Sequence, residues 1–339
     1  MSSIMRDIAK ECGVSITTVS RALRDKGEIS PETKERILKV AEEMEYSANI
    51  PARVLAGGKS NTIGLIVADN SNPYFAKLIL GIEDIAKKND FGVILYNTSE
   101  DPELEIQGHR MLIEKRVDGL IITSLRTGRD PLISLQKNGI PFVLLNRYVE
   151  NFKTDWVRSD NEYGAYSLTK LLCSLGHKHI LHITGSEEIS SVRERITGYK
   201  KALKEFGIGF DPGLIYHCDL KLDGGYQCAH RALSELDPIP TAIFAYSDVI
   251  AVGVMKTLHE KHIRIPEDIA LVGYDNIDYS EFLEPSLTTV DQFANEIGQK
   301  GMEILLRKIY KPENEIWEEQ QVIIKPMIVT RESSGTSKL

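Results

Sequence analysis

The chain has 339 residues, 42% of them hydrophobic and 27% charged, a globular composition with length for two or three packed units. Its formal net charge of −8 excludes a bulk basic excess of the kind that marks many nucleic-acid-binding proteins. Four scattered cysteines without a CxxC pair argue against a disulfide framework or a zinc site. No window approaches the 18 uncharged apolar residues of a membrane span, and we expect a cytoplasmic protein.

The stretch DIAKECGVSITTVSRAL, residues 7–23, predicts two short helices joined by a tight turn. Its apolar residues recur at spacings that place them on the facing sides of two helices, and Gly13 can adopt the positive φ that the turn needs. Ser15 is a natural N-cap for the second helix, which leaves Thr17 and Arg21 one turn apart on the same face. Such a helix can lie in a DNA major groove, although two helices around a glycine can equally form a corner of a core.

The residues that follow extend this pattern to a head of about 60 residues. Ser30-Pro31-Glu32 predicts the start of a third helix, with an N-cap and a proline at the first position. The segment NIPARVLA, residues 49–56, predicts a small fourth helix before a Gly-Gly-Lys-Ser linker. Residues 1–59 contain 10 Lys+Arg and 9 Asp+Glu, a balance of +1, so the remaining 31 basic and 40 acidic residues give the body −9.

From Asn61 onward, apolar strands alternate with amphipathic helices, which predicts parallel sheets with helices on both faces. One series runs from TIGLIV to PFVLL, and a second runs from the helix that starts near Tyr163 to the strand IALVGY. Two such series predict two lobes facing each other across a cleft, since ligands of open α/β sheets bind outside the carboxyl ends of the strands.

The predicted strand ends are rich in polar and aromatic residues, which suits a hydroxylated small molecule. Taken singly, most of these residues are equally consistent with solvated loop positions. We assign ligand binding to Asn70, Tyr74, Phe75, Asn146, Arg147, Arg193, Arg195, Ser247, Asp248 and Asp275, and the family resemblance described below adds Leu220 to this set of predicted effector residues.

The run DIAKECGVSITTVSRAL, a third helix ending in EMEY, and N..AR.LA before a linker resemble the LacI (lactose-repressor-like) family of bacterial regulators. The resemblance implies a helix-turn-helix head and a two-lobed, periplasmic-binding-protein-like core. We therefore expect the domain boundaries 1–48 (head), 49–60 (hinge helix and linker), 61–158 with 292–321 (first lobe), 159–291 with 322–332 (second lobe) and 333–339 (flexible tail), with crossings near Ser159, Asp291 and Gln321.

The resemblance also implies roles for single residues. Ile16, Thr17 and Arg21 fall on base-reading positions, and Leu55 falls on the family's minor-groove wedge. Pro51 departs from the usual hinge, but it is tolerable in the first turn of a short helix. The DNA-contacting set is Ser15, Ile16, Thr17, Thr18, Ser20, Arg21 and Leu55.

Arg195 and Asp275 fall on the chief ligand-gripping positions of the family, whereas Ser247 and Leu220 stand where many members have Asn and a large aromatic residue. An amide and a guanidinium at Asn146-Arg147, with Arg195 nearby, suggest an anionic ligand such as a sugar acid rather than a neutral sugar.

Catalytic motifs are missing from the sequence. Gly57-Gly58-Lys59-Ser60 lacks the first glycine of a phosphate-binding loop, and His177, His179 and His182 lack further ligands at a metal-binding spacing. We expect no enzyme activity, no metal and no cofactor. The function predicted is a ligand-responsive, homodimeric repressor of carbohydrate or sugar-acid genes that binds a pseudo-palindromic DNA operator. The alternative is a cytoplasmic sugar-binding protein with no role in transcription.

Overall fold

The structure is a computed structural model that describes residues 3–23, 29–44, 59–312 and 314–335. The chain divides into two compact units, Met1–Ser60 and Asn61–Leu339. The described part of the first unit contains the helices α1 (Ser3–Glu11), α2 (Ile16–Leu23) and α3 (Pro31–Glu43).

The three helices of the first unit enclose a small apolar core. Ile8, Val19 and Ile37, one from each helix, are completely buried and pack together. Gly13 has a φ of +63° in the turn between α1 and α2, and a Cβ there would meet no atom within 4 Å. The backbone conformation, rather than a lack of space, therefore favours glycine at this position, and the predicted helix-turn-helix is confirmed.

The second unit alternates strands and helices along the chain. Its described helices are α4 (Pro73–Lys88), α5 (Pro102–Glu114), α6 (Asp130–Lys137), α7 (Asn161–Ser174), α8 (Ser190–Glu205), α9 (Leu222–Glu235), α10 (Asp248–Glu260) and α11 (Ala294–Tyr310). Its described strands are β1 (Thr62–Val67), β2 (Gly92–Asn97), β3 (Gly119–Ile122), β4 (Phe142–Leu145), β5 (Trp156–Ser159), β6 (Ile180–Thr184), β7 (Ile215–His217), β8 (Ala242–Ala245), β9 (Ala270–Val272), β10 (Thr289–Asp291), β11 (Gln321–Ile324) and β12 (Met327–Val329).

Each lobe is built around one parallel sheet. The six-stranded sheet of the first lobe has the order β11-β5-β4-β3-β1-β2, and the four-stranded sheet of the second lobe has the order β7-β6-β8-β9. Two apolar clusters contain residues of the first sheet and two contain residues of the second. With two apolar clusters on each sheet, the predicted parallel sheets with helices on both faces are confirmed. Parallel strands need both of their faces covered.

The third crossing between the lobes lies later than the sequence predicted. β11 pairs with β5 throughout Gln321–Ile324, so these residues belong to the first lobe, whereas β12 pairs with β10 in the second. The expected boundary at residue 321 is therefore wrong by three residues. The strand is short and half-exposed, and nothing in its own pattern indicates which sheet it joins.

Two further features differ from the sequence-based expectations. Residues 333–335 are not a flexible tail: Ser333 and Ser334 are buried, and the Ser333 hydroxyl donates to the Leu271 carbonyl at 2.6 Å. The rest of the predicted tail, residues 336–339, lies outside the described residues. The helix α11 was not predicted, although it contributes Ile297, Ile304 and Leu305 to the core of the first lobe. Among the described residues, no helix combines the length and apolarity that a membrane span requires.

Candidate functional site

The exposed face of α2 is a candidate surface for contacting DNA. The Ser15 hydroxyl accepts a hydrogen bond from the Thr18 amide at 3.0 Å and so caps the helix as predicted. Thr17 and Arg21 are exposed one turn apart, whereas Ile16 is half-buried against the apolar core of the head. The packing of Ile16 holds the first turn of the helix in place and leaves the polar side chains outward.

The other predicted DNA contacts divide into two groups. Thr18 and Ser20 are half-buried on α2, and the Thr18 hydroxyl bonds the Ser15 hydroxyl at 2.8 Å. Leu55 and the rest of the predicted hinge, residues 49–56, lie outside the described residues.

The second unit has a polar cavity between its lobes, at the carboxyl ends of the strands. Its volume is about 50 Å³. Eight of the predicted effector residues line it, and they come from loops and helix starts of both lobes: Tyr74, Phe75, Asn146, Arg147, Arg195, Leu220, Ser247 and Asp275.

Arg195 occupies the second-lobe side of the cavity and is 3% exposed. Its Nε donates to the Asn161 Oδ1 at 3.0 Å, its Nη1 donates to the Tyr246 carbonyl at 2.5 Å, and its Nη2 lies 3.8 Å from the Asp275 Oδ1. The guanidinium carbon is 3.6 Å from the centre of the Tyr274 ring. Hydrogen bonds on two sides and an aromatic face beneath hold the guanidinium plane in one orientation.

Asp275 faces Arg195 across a gap too long for a direct hydrogen bond. The Asp275 Oδ1 accepts a hydrogen bond from the Gln292 Nε2 at 2.6 Å. Burial raises the pKa of Asp275 to about 8, although the nearby Arg195 charge opposes this shift. A ligand hydroxyl near the two side chains could accept from the Arg195 guanidinium and donate to an oxygen of the Asp275 carboxyl group.

Arg147 on the first-lobe side is not available as an unpaired cation. Its guanidinium forms a bidentate pair with Glu100. The Arg147 Nη1 donates to the Glu100 Oε2 at 3.0 Å, and the Arg147 Nη2 donates to the Glu100 Oε1. The side chains are only 7% and 20% exposed. Burial alone would raise the pKa of Glu100, but the charge and hydrogen bonds of Arg147 outweigh it, and the pKa lies below its ordinary value.

Tyr74 and Asn146 form the wall beside this ion pair. The Tyr74 hydroxyl donates to the Asn146 Oδ1 at 2.6 Å, and burial raises the pKa of Tyr74 well above its ordinary value. Asn146 has a φ of +66°, a conformation that asparagine tolerates better than most residues. The Phe75 ring meets the Tyr74 ring edge-on, with the centroids 5.4 Å apart.

Three predicted effector residues do not line the cavity. Asn70 is exposed, and its backbone amide donates to the Asn97 Oδ1 at 2.9 Å. Arg193 donates to the Glu187 and Glu188 carbonyls at 2.7 and 3.0 Å, on a separate cavity of about 430 Å³. It was predicted in a strand-end loop, but α8 begins at Ser190 and turns Arg193 away from Arg195.

Asp248 is the third of these residues, and its role is structural. It is completely buried, and it accepts hydrogen bonds from the Ile277 amide at 3.0 Å and from the Ser280 and Thr289 hydroxyls at 2.7 and 2.6 Å. Burial raises its pKa to about 6. Asp248 therefore fixes the loop that carries Asp275 without facing the cavity.

Nine cavity residues were missing from the predicted set. They are Asp69, Asn72, Glu100, Asn161, Ser191, Asp219, Lys221, Tyr246 and Gln292. Asp69 and Asn72 stand in a predicted strand-end loop and could have been found by position. Glu100 could not have been found by position. It lies in a turn in which Ser99 and Glu100 both have positive φ, +50° and +63° respectively.

Comparisons with known proteins agree with this architecture. The family model for bacterial regulatory proteins of the lacI family matches residues 4–49, and the model for periplasmic binding proteins and the sugar-binding domain of the LacI family matches residues 60–331. The HTH-type transcriptional repressor PurR of Pasteurella multocida is 34% identical over 332 residues, which cover 97% of this chain and 98% of the relative.

Two solved structures extend these similarities. A LacI-family regulator from Enterococcus faecium, described with bound ribose, is 35% identical, with a TM-score of 0.72 over 80% of this chain and 98% of that one. The lac repressor dimer, described as bound to operator and an anti-inducer, is 25% identical, with a TM-score of 0.81 over 97% and 98% of the two chains.

Proposed function

This chain belongs to the LacI family of bacterial regulatory proteins, and we propose that it is a repressor whose operator binding responds to a small uncharged sugar. Its general role, that of a ligand-responsive DNA-binding transcriptional regulator without enzyme activity, is shared with its relatives. The further statements, on the ligand and on the single residues that contact DNA, are inferences from the two sites.

The charge balance of the cavity carries the inference about the ligand. Four acidic residues, Asp69, Glu100, Asp219 and Asp275, line the cavity against three basic ones. Arg147 is already neutralised by Glu100, and Arg195 faces Asp275. A sugar carboxylate would have to displace Glu100 to reach Arg147, so the hypothesis of an anionic ligand loses the unpaired Arg147 guanidinium on which it chiefly depended.

The remaining lining suits hydroxyl groups. Asn72, Asn161 and Gln292 place side-chain amides at the cavity, where Asn161 and Gln292 also bond Arg195 and Asp275, and Ser191 and Ser247 place hydroxyls there. Polyhydroxylated ligands need donors and acceptors close together, which amides and carboxylate–guanidinium pairs supply. The structure with bound ribose has the highest identity to this chain of the relatives described above, which supports a ligand of monosaccharide size.

A purine is the second candidate. The relatives named PurR match this chain over nearly its whole length, and the aromatic rings of Tyr74, Phe75 and Tyr246 could cover an apolar ring. However, the Arg195 guanidinium covers the Tyr246 ring at 4.2 Å, and Leu220 offers an aliphatic surface instead of a stacking plane. These contacts favour the sugar.

Ligand binding requires the lobes to separate, because a cavity of about 50 Å³ admits only a few water molecules. Ion pairs such as Lys77 Nζ with the Asp278 Oδ1 at 2.7 Å and Arg126 Nη2 with the Glu188 Oε2 at 3.4 Å connect the two lobes. A ligand that changes the angle between the lobes binds the closed and the separated arrangements with different affinities. The corresponding difference in binding free energy can be coupled to DNA binding.

For DNA, we propose that two chains place their α2 helices in successive major grooves of a pseudo-palindromic operator. Thr17 and Arg21 would read base edges, Ser15 would position the helix, and Leu55 would act as the minor-groove wedge. The dimer bound to operator among the relatives supports this arrangement. We place the protein in the cytoplasm, where its operator lies.

The test uses the full-length protein and a fluorescent duplex from the region upstream of its own gene. Anisotropy at fixed salt should show saturable binding that a scrambled duplex does not reproduce, and ribose should shift the affinity where ribonate does not. If ribose has no effect and hypoxanthine does, the purine candidate replaces the sugar. If neither duplex is preferred under any condition, the protein is a sugar-binding protein without a role in transcription.

A further inference from the structure

Two free cysteines that are ten positions apart in sequence meet behind the cleft. Cys218 follows β7 and is half-buried, and Cys228 lies buried in α9. The Cys228 Sγ lies 4.0 Å from the carbonyl oxygen of His217, the residue bonded to Cys218, and Cys218 packs against the apolar cluster that contains Cys228. From their scattered positions and the lack of a CxxC pair, the sequence had argued against a disulfide framework.

We propose that Cys218 and Cys228 form a reversible disulfide, and that the bond changes the loop that lines one side of the effector cleft. The bond would make residues 218–228 a small ring, and Asp219, Leu220 and Lys221, three cavity-lining residues, lie within it. Only the effect on the ligand rests on the proposed function, since the disulfide itself can be detected without any ligand.

The surroundings of the pair favour a thiolate at Cys228. The neighbouring Cys218 thiol and Arg231, whose Nη2 lies 3.9 Å from the Cys228 Sγ, lower the pKa of Cys228 although burial opposes them. The same contact with Cys228, together with burial, raises the pKa of the Cys218 thiol. One thiol is therefore prepared as a nucleophile and the other as its proton donor.

A hydroperoxide, with hydrogen peroxide as the simplest, supplies the oxidant. The Cys228 thiolate attacks one peroxide oxygen, the O–O bond breaks, and protonation of the departing oxygen releases water, leaving a sulfenic acid on Cys228. The Cys218 sulfur then attacks the Cys228 sulfur and displaces hydroxide, which takes the Cys218 proton and leaves as a second water. Two thiols and one peroxide thus become one disulfide and two waters.

The loop between the cysteines is closely packed on both sides, so a movement of Cys218 must move the cleft wall. A Cβ on Gly224 would lie 2.0 Å from the Asp219 carbonyl oxygen, which shows how closely α9 supports the loop. A Cβ on Gly185 would lie 2.7 Å from the Leu220 Cδ2, on the β6 side. A disulfide needs the sulfurs at about 2.05 Å, so the bond would draw Cys218 toward α9 and move the neighbouring Leu220 with it.

Cys173 provides a matched control within the same lobe. It is buried in a different apolar cluster from Cys228, and burial raises its pKa to about 11. A thiol of this kind should remain reduced under an oxidant that converts the Cys218–Cys228 pair.

The first experiment treats the full-length protein with hydrogen peroxide, alkylates the remaining thiols, and maps the peptides by mass spectrometry. We expect one intramolecular Cys218–Cys228 disulfide that dithiothreitol reverses, with Cys173 alkylated throughout. Cys218→Ser and Cys228→Ser should each abolish the linked peptide, whereas Cys173→Ser should retain it. A linked peptide that never forms, or that joins other cysteines as readily, overturns the proposal.

The second experiment measures the consequence for the loop. Amide hydrogen exchange in the peptide spanning residues 217–224 should slow on oxidation, and the dissociation constant for ribose should rise about fivefold and recover with dithiothreitol. If ribose does not bind the reduced protein, the sugar assignment fails while the exchange result still tests the loop. A disulfide that leaves the exchange of this peptide unchanged overturns the claim that the bond changes the cleft wall.

Discussion

Replacing Glu100 by Gln would separate the role of the Glu100–Arg147 pair in stability from its role in ligand choice. Glu100→Gln keeps the size and one acceptor of the side chain but removes the charge that neutralises Arg147. Because Arg147 is 7% exposed, water can compensate for the lost charge only weakly. The variant therefore contains a buried cation in the cleft that the wild-type protein does not have.

The magnitude follows from the burial of the pair. Removing one partner of a buried ion pair costs about 3–5 kcal/mol, and because Gln retains one acceptor we expect a loss of unfolding free energy just below this range, about 2–3 kcal/mol. For a domain of this size, about 2 °C per kcal/mol gives a decrease in melting temperature of about 4–6 °C. The unpaired Arg147 should also raise the affinity for ribonate by about tenfold, or 1.4 kcal/mol.

The pH dependence provides an internal check. The pKa of Glu100 is lowered in the folded protein, so its contribution to stability is present above the ordinary value of 4.5 and is lost as the pH falls through the folded value. The difference in stability between wild type and Glu100→Gln should therefore be constant near neutral pH and shrink in acid.

The assay combines thermal unfolding from pH 3 to 8 with calorimetry using ribose and ribonate, and Glu114→Gln, an exposed position on α5, is the matched control. We expect the control to behave like wild type. The reasoning is refuted if Glu100→Gln stays within about 0.5 kcal/mol of wild type, the usual range of surface substitutions, and still does not bind ribonate.

Three further predictions address the head, the second-lobe side of the cleft and the core. Arg21→Ala should weaken operator binding by about 1–3 kcal/mol in an anisotropy titration. The control Lys39→Ala removes an exposed cation on α3 and should keep the preference for the operator sequence. If Arg21→Ala lost the same affinity for operator and for scrambled DNA, base reading by Arg21 would be contradicted. Burial raises the pKa of Asp275 from 3.8 to about 8, so the unliganded protein should lose stability as the pH rises between these values. In thermal unfolding, Asp275→Asn should show a smaller loss of stability over this pH range. If the stability of wild type and variant changed with pH in the same way, the raised pKa would be contradicted. Gly81→Ala places a Cβ 2.1 Å from the Asn295 carbonyl oxygen and should cost about 1–3 kcal/mol in denaturant unfolding, whereas Gly209→Ala, which meets no atom within 4 Å, should cost less than about 1 kcal/mol.

Sequence patterns predicted those features that depend on neighbouring residues. The cap at Ser15 and the turn at Gly13 each involve a few consecutive positions, and both were identified from residue type and spacing. The alternating strands and helices were equally visible, because a buried parallel strand needs a continuous apolar run and a covering helix needs an apolar stripe.

The cleft could be predicted only in part. Arg195 and Asp275 stood out through the family resemblance, but the pattern of polar residues at strand ends also selected Arg193 and Asp248, which the structure turns toward backbone carbonyls and into the core. Their residue types fit a ligand site equally well. The two arginines are two positions apart, and the rotation of α8 about its axis decides which of them faces the cavity. The sequence pattern placed both in a strand-end loop, whereas α8 begins at Ser190 and includes both.

The sequence by itself determined the helix-turn-helix head, the two parallel-sheet lobes and the edge of the sheets at which a ligand site would form, because short-range periodicity and capping govern these features. Only the tertiary structure decided the charge of that site and the contact between two of its cysteines. Glu100 neutralises Arg147 across 47 positions of sequence, and the Cys228 Sγ lies 4.0 Å from the peptide carbonyl that precedes Cys218, ten positions earlier. Such pairs depend on which strand ends and helix faces the fold brings together, and at these separations local spacing places no constraint on the partner.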